Sequence, residues 1–244
     1  MKDQAEAFGT EMLKDEVTSF DMSDKVRVVK LASGNEIKTK TIIIATGAQP
    51  TLLGVPGELE LRGKGVSYCA TCDADFFTEL EVLVIGGGDA AVEEAIYLTK
   101  FADKVTIVHR RDEFRAAKSI VEKAKANEKI NIIWDTIVEE IYGDGIVEGA
   151  KLKNVKTGEI TDFRTDGVFV FVGIKPISEL FKGIVDMNEK GYIITDEEMR
   201  TSVSGVFAAG DVRVKALRQV ITAASDGAIA AVAAEKYITD NFEH

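Results

Sequence analysis

Between Val82 and Val108 the chain can fold in very few ways. Val82-Leu83-Val84-Ile85 is a short continuous apolar run with the pattern of a buried strand. Gly86-Gly87-Gly88-Asp89-Ala90-Ala91 follows it directly. Val92, Ala95, Ile96 and Thr99 then fall at helical spacing on one face, and Val105-Thr106-Ile107-Val108 is a second apolar strand. The 27 residues from Val82 to Val108 are close to the usual length of a βαβ unit. Gly86, Gly88 and Ala91 fill a G-x-G-x-x-A pattern after a strand and before a helix, which is the context a dinucleotide-binding loop requires. Small residues there permit a tight turn, backbone approach to a pyrophosphate and close helix packing, with the helix N-terminus facing the phosphates. A purely structural glycine turn is the alternative.

The end of the second strand narrows the ligand. An NAD site usually places Asp or Glu about 20 residues beyond the loop, to bind the ribose hydroxyls. Here the segment reads His109-Arg110-Arg111-Asp112-Glu113-Phe114-Arg115. Guanidiniums suit a 2'-phosphate, which accepts charge-assisted, bidentate hydrogen bonds, so the segment favours NADPH over a solvated basic patch. Asp112 points the other way. The only two cysteines lie just before the loop, in Cys69-Ala70-Thr71-Cys72-Asp73. Structural zinc needs four ligands, and the chain offers only Cys69, Cys72, His109 and the terminal His244. A redox pair is favoured by the C-x-x-C spacing, with two spectator thiols as the alternative. Asp73 stands where it could protonate a departing thiolate, although an exposed turn aspartate would read the same.

The balance of 30 basic against 41 acidic residues, a net of -11, disfavours nucleic acid and anionic membranes as partners. Two cysteines are too few for a secreted disulfide framework. The start is polar and acidic rather than a signal peptide, and no apolar run nears 18 residues. These features point to a cytoplasmic protein. Met1 to Phe8 reads as the end of a helix stopped by Gly9. Val26 to Leu31 and Glu36 to Thr46 read as strands joined at Ser33-Gly34-Asn35. Further strands are expected at Ile130 to Trp134, Glu148 to Asn154, Val168 to Val172 and Gly205 to Ala209, with a closing helix from about Leu217 to Ile238. The Pro/Gly-rich loop after Pro50 and the segment Gly173 to Pro176 read as domain boundaries.

These motifs, in this order, resemble bacterial low-molecular-weight thioredoxin reductase. The resemblance rests on Ile44-Ala45-Thr46-Gly47, the Cys69 to Asp73 run, Gly86 to Ala95, His109-Arg110-Arg111 with Arg115, and Gly205 to Asp211 followed by Arg218-Gln219. It implies an α/β fold of two dinucleotide-binding, Rossmann-like domains. Residues 53–176 would be an NADPH-binding domain carrying the dithiol, inserted in an FAD-binding domain formed by residues 1–52 and 177–244. It also implies a reaction: electrons pass from NADPH through FAD to a Cys69–Cys72 disulfide and on to thioredoxin or a thioredoxin-like protein. Cys72 would lie nearer the flavin, Cys69 would attack the partner, and Asp73 would be the general acid. NADPH would bind at Gly86, Gly87, Gly88, Asp89, Ala90 and Ala91, with His109, Arg110, Arg111 and Arg115 at its 2'-phosphate end. FAD would meet Ala45, Thr46, Gly47, Gly210, Asp211, Arg218, Gln219 and Val220. The family is typically homodimeric, and in it one domain rotates against the other about the two boundary segments.

The chain departs from that pattern in having no first glycine fingerprint. On this reading at least one βαβ unit, about 30 residues, of the FAD domain is lacking, leaving a sheet edge and apolar surface uncovered. Asp89 replaces a common asparagine at a helix N-cap, and Ala74-Asp75 stand where many relatives have glycine and an aromatic. The alternative reading is therefore a binding module that holds NADPH but retains little flavin and does not turn over. A ferredoxin-fed reductase, suggested by analogy, is disfavoured by the arginines.

Overall fold

The computed structural model describes residues 1–242. The chain forms two compact units, one of Met1–Gln49 together with the residues from Lys175 on, the other of Pro50–Ile174.

The first unit opens with helix α1 (Lys2–Ala7), which ends at Gly9 in a left-handed conformation, φ 87°. Strands β1 (Val17–Asp21), β2 (Arg27–Leu31) and β3 (Glu36–Thr39) form an antiparallel sheet in that order. β1 was not expected: its Val-Thr-Ser-Phe-Asp sequence shows no continuous apolar run. The single strand expected over Glu36 to Thr46 is two strands. Thr39 Oγ1 donates to the Thr41 carbonyl at 2.7 Å, breaking the run, and β4 (Ile42–Ile44) leaves the antiparallel sheet. Strand β5 (Ala48–Pro50) carries the chain toward the second unit.

The second unit is built on five parallel strands. They are β6 (Val66–Ser67), β7 (Glu81–Gly86), β8 (Lys104–Val108), β9 (Ile130–Ile133) and, later in the chain, a strand at Gly167–Phe171. Short helix α2 (Ala70–Asp73) follows β6, α3 (Asp89–Leu98) follows β7 and α4 (Lys118–Lys125) follows β8. The chain then forms an antiparallel sheet of β10 (Thr136–Tyr142), β11 (Gly149–Asn154) and β12 (Ile160–Arg164) before entering the Gly167–Phe171 strand, β13. The parallel sheet runs β6-β13-β7-β8-β9, so the order reverses direction beside β7. Such a switch point opens a crevice at the carboxyl ends of the strands.

Both faces of this sheet are buried, and the period of two divides its side chains between them. Leu83, Ile85, Val108, Val168 and Val170 pack against Val138, Ile141, Ala150 and Leu152 of the antiparallel sheet. Val82, Val84, Val105, Ile107 and Phe169 pack on the other side against Ala91, Ala95 and Leu98 of α3. The elements with no expectation behind them are the weakly patterned ones. β10 is bulged between Val138 and Glu140, which breaks its alternation; β12 is an exposed edge; and α4 buries only Ala124.

After strand β14 (Ile174–Pro176) the chain completes the first unit with β15 (Val206–Ala208) and the long helix α5 (Val220–Phe242). β15 pairs in parallel with β4, Val206 opposite Ile42 and Ala208 opposite Ile44. Val206 and Ala208 join Ile44, Phe181, Val185, Ile193 and Val212. Phe207 and Ala209 face the other way, onto Ala230, Ala233 and Ala234 of α5. α5 begins three residues later than expected, its first turn closing from Ala223 N to the Gln219 carbonyl at 3.0 Å, and runs four residues further. Val220, Ile221 and Val232 lie exposed along it.

Leu83 is fully buried between the two sheets of the second unit. Leu83→Ala is expected to destabilise that unit by about 2–5 kcal/mol, because the surrounding sheets can relax only partly into the cavity. Urea unfolding followed by circular dichroism measures it.

Candidate active site

Cys69 and Cys72 are disulfide-bonded, with their Cα atoms 5.3 Å apart. The local helix follows from the spacing. Cys69 is extended (φ -147°, ψ 100°) and serves as the N-cap of α2, and the amides of Cys72 and Asp73 both reach its carbonyl. Its Sγ also accepts from Cys72 N at 3.2 Å. An N–H aimed at a sulfur in this way would favour its thiolate form once the disulfide is reduced. Cys72 is exposed and Cys69 half-buried.

The residues just before Cys69 are held by two separate polar networks, neither visible as a motif. Ser67, 5 % exposed at the end of β6, donates from Oγ to Asp73 Oδ2 at 2.6 Å and accepts from Cys69 N at 3.1 Å. Tyr68 donates to Glu58 Oε1 at 2.8 Å. Glu58 is 1 % exposed and also receives the amides of Leu53 and Gly54 at 2.9 and 2.8 Å. Burial, then the hydrogen bond and charge of Glu58, push the Tyr68 phenol above its ordinary value, so it stays a donor. Ala74 is buried in a 3-10 turn that continues α2, so a methyl group fits at this position.

The glycine loop is shaped by what its glycines touch. A Cβ on Gly86, at φ 154°, would lie 2.6 Å from Ala91 Cβ and 2.6 Å from the Phe171 carbonyl oxygen. A Cβ on Gly87 would lie 2.3 Å from the His109 ring. A Cβ on Gly88 would meet nothing within 4 Å, so on that side the backbone at the start of α3 is open to a ligand. Gly88, not Asp89, is the N-cap, and no side chain caps the helix. Asp89 is instead the first helical residue, and its Oδ1 receives Ala117 N at 2.8 Å, tying α3 to the entry of α4. The arginine segment is fastened to the loop by a bond from Arg115 N to the Gly87 carbonyl at 2.8 Å.

Arg110, Arg111 and Arg115 are exposed and enter none of the ion pairs formed among the described residues. Asp112 is engaged elsewhere, 3.5 Å from Lys156. His109 is 5 % exposed, wedged among Gly87, Phe114 and Trp134, and its Nε2 finds no partner among the described residues. Burial, then the charges of Arg115, Arg110 and Arg111, push the imidazole below its ordinary value.

In the first unit, Gly47 and Gly210 adopt left-handed conformations, φ 76° and 77°, at the ends of segments continuing β4 and β15. Thr46 Oγ1 donates to the Ile177 carbonyl. The Gly210–Asp211 turn is held by Asp226, which receives Gly210 N at 3.0 Å, Arg213 at 3.2 Å and Lys215 at 2.8 Å. Burial alone would raise the Asp226 carboxyl, but these donors outweigh it and hold it below the ordinary range. Beside this turn, Asp211 Oδ1 is a buried acceptor without a partner among the described residues, and Arg218 Nε is likewise an unpaired buried donor. The Arg218 guanidinium stacks 4.1 Å over Tyr192. Gln219 is bonded within the protein and Val220 is exposed. Among the described residues no three His, Cys, Asp or Glu side chains converge on a metal position; His244 lies outside them. No helix among those residues is long and apolar enough to cross a membrane.

The profile of the family described as pyridine nucleotide-disulphide oxidoreductase matches residues 3–227. The chain belongs to that family. Within it, the chain is similar to several thioredoxin reductases. That of Peptoclostridium litorale is 61% identical over 99% of this chain and 78% of its own length. That of Bacillus subtilis is 46% identical, over 98% and 76%. The crystal structure of thioredoxin reductase from Streptococcus pyogenes superposes with a TM-score of 0.93 at 47% identity, covering 98% of this chain and 78% of that one. The Giardia duodenalis enzyme does so at 0.90 and 41%, covering 98% and 79%.

The His109 shift has a sign. An imidazole lowered on folding leaves the unfolded chain binding more protons below its unperturbed value of about 6.5, so stability rises with pH there. The stabilisation is complete above that value and is lost as pH falls through the lowered folded value. Urea midpoints at about pH 8 and about pH 5.5 should differ more for the wild type than for His109→Gln, which has no titrating ring.

Proposed function

We propose that this chain is an NADPH-dependent thioredoxin-disulfide reductase, in which Cys69 and Cys72 exchange electrons with the disulfide of thioredoxin or a thioredoxin-like protein. The observation that carries this reading is the pairing of a Cys69–Cys72 disulfide at a helix N-cap with an open glycine loop at the sheet's switch point, both within the second unit. Residues 53–176 then serve as the NADPH domain and residues 1–52 with 177–244 as the FAD-binding part. We place the protein in the cytoplasm, where NADPH keeps thiols reduced, and as a homodimer, as its resemblance to the family implies.

The residues of the first unit fit a flavin dinucleotide. Leaving a buried polar atom unpaired costs about 1–3 kcal/mol, so the unpaired Asp211 Oδ1 and Arg218 Nε mark a place where a polar ligand supplies the missing partners. Asp211 suits a hydroxyl and Arg218 a phosphate or carbonyl oxygen. Ala45, Thr46, Gly47, Gly210, Gln219 and Val220 complete that set. FAD, when bound, supplies the two-electron carrier that joins nicotinamide to sulfur.

In the second unit the pyrophosphate of NADPH is received by the backbone from Gly86 to Ala91, where the uncapped amides of α3 present partial positive charge. Arg110, Arg111 and Arg115 hold the 2'-phosphate. His109 supports the loop from beneath, as the contact with Gly87 indicates. At the dithiol, Cys69 attacks the partner's disulfide, helped by the Cys72 N–H that already faces its sulfur. Asp73 supplies the proton to the departing sulfur, and Cys72 then closes the ring on Cys69.

Three measurements test the reading. The purified protein with FAD should show flavin absorbance that NADPH bleaches; a protein that binds NADPH, stays colourless and leaves thioredoxin oxidised would be a binding module instead. Cys69→Ser should abolish thioredoxin reduction while leaving NADPH affinity unchanged, and undiminished turnover would remove Cys69 from the mechanism. Replacing any one of the three arginines by Ala should raise the KM for NADPH about ten-fold or more and leave that for NADH nearly unchanged, since a charged hydrogen bond is lost only with the phosphate present.

A further inference from the structure

Ser67 lies outside the C-x-x-C motif, yet its side chain touches both the backbone of Cys69 and the carboxylate of Asp73. The residue is 5 % exposed, and its hydroxyl has three neighbours within hydrogen-bond reach. Cys69 N lies at 3.1 Å, Asp73 Oδ2 at 2.6 Å and the Cys69 carbonyl at 3.3 Å. A backbone N–H can only donate, so Ser67 Oγ must accept from Cys69. The single hydroxyl proton is then left for the nearer of the two acceptors, Asp73 Oδ2. The chain of bonds therefore has a fixed polarity, from Cys69 N–H through Ser67 O–H to Asp73. Oδ2 is committed as an acceptor, and Oδ1, which has no protein partner among the described residues, is the oxygen on which a transferable proton can sit.

We propose that Ser67 is a positioning residue for the dithiol exchange: it links the attacking cysteine to the acid and fixes which carboxyl oxygen carries the proton. This rests on the reading of Asp73 as the general acid. In the step concerned, the Cys69 thiolate attacks one sulfur of the partner disulfide, so a Cys69–partner S–S bond forms and the partner's own S–S bond breaks. The departing sulfur takes the proton from Asp73 Oδ1. Cys72 then gives its proton back to Asp73 and attacks Cys69, which reforms the Cys69–Cys72 disulfide and releases the second partner sulfur as a thiolate. The two electrons move from the enzyme dithiol to the partner, and the proton lent by Asp73 returns to it. Throughout, Ser67 keeps Oδ2 occupied, so the carboxyl group does not rotate between the two transfers.

The test is a double-mutant cycle on the full chain, reduced chemically, freed of reductant and mixed with oxidised thioredoxin in a single turnover, so that exchange is read without the flavin. Ser67→Ala is expected to slow exchange about ten-fold, a part of what a general acid contributes. In the Asp73→Asn background the same change should alter the rate by less than about two-fold, because the two residues act as one unit. Ser67→Thr keeps the hydroxyl and should stay within about three-fold of the wild type. NADPH affinity, read by fluorescence, should be unchanged throughout and certifies the fold. Equal slowing by Ser67→Ala in both backgrounds would mean that Ser67 only stiffens the segment, and would overturn the proposal. So would a wild-type rate in Ser67→Ala beside a slow Asp73→Asn, or a Thr variant as slow as Ala. A wild-type rate in Asp73→Asn would instead remove the acid role itself, a failure distinguishable from that of Ser67.

Discussion

The placement of β7 governs the second unit. It is a parallel strand with neighbours on both edges and apolar packing on both faces, so neither its register nor its rotation can drift without exposing a row of buried side chains. That rigidity is transmitted to its end. β13 on one side brings the Phe171 carbonyl against Gly86, and β8 on the other leads into His109, against Gly87. Two of the glycines are needed because neighbouring strand ends occupy the space a side chain would take. Gly88 differs in kind: no group occupies the space its side chain would take, which leaves the start of α3 open on that side.

The dithiol is positioned by alternation of a similar sort on a smaller scale. Ser67, Tyr68 and Cys69 are consecutive, and the first two bond to different partners. Ser67 turns to Asp73, within the turn that follows, and Tyr68 to Glu58, which gathers the loop at Leu53 and Gly54. The backbone entering Cys69 is thus held by polar groups that are nearly all satisfied, and a buried network in that condition rigidifies rather than strains. A reactive sulfur pair gains from this, because its exchange chemistry demands that attacking and departing atoms keep their alignment.

The two units leave different demands unmet. The three arginines beside the glycine loop are exposed, and water satisfies them at little cost; their interest lies in like charges gathered in an acidic chain. Asp211 Oδ1 and Arg218 Nε are buried, where water cannot reach, and their lack of partners carries a real free-energy penalty. Asp226, with its amide and two cations, holds the turn carrying Asp211 in place despite that cost. Sites of both sorts are expected where a protein is built around charged, hydroxyl-rich ligands.

What was legible in the chain were the elements whose pattern is purely local. β7, α3 and β8 could be read because a strand buried on both faces is a continuous apolar run and the glycines punctuate it. β10 was hidden by a bulge that breaks its alternation, β12 by lying exposed at an edge, and the break between β3 and β4 by a single Thr39 side-chain bond. The cysteines, glycines and arginines announced themselves by residue type and spacing. Ser67 and Glu58 did not, since serine and glutamate are common and their meaning comes only from what folding brings against them. The sequence by itself determined which chemistry the chain carries and the βαβ frame beside it. Tertiary structure alone decided that Gly88 caps α3 while Asp89 ties it to α4, that Asp112 turns to Lys156, and that a buried serine joins Cys69 to Asp73. Those outcomes depend on contacts between residues distant in the chain or on the direction of one hydrogen bond, and neither leaves a periodic trace in sequence.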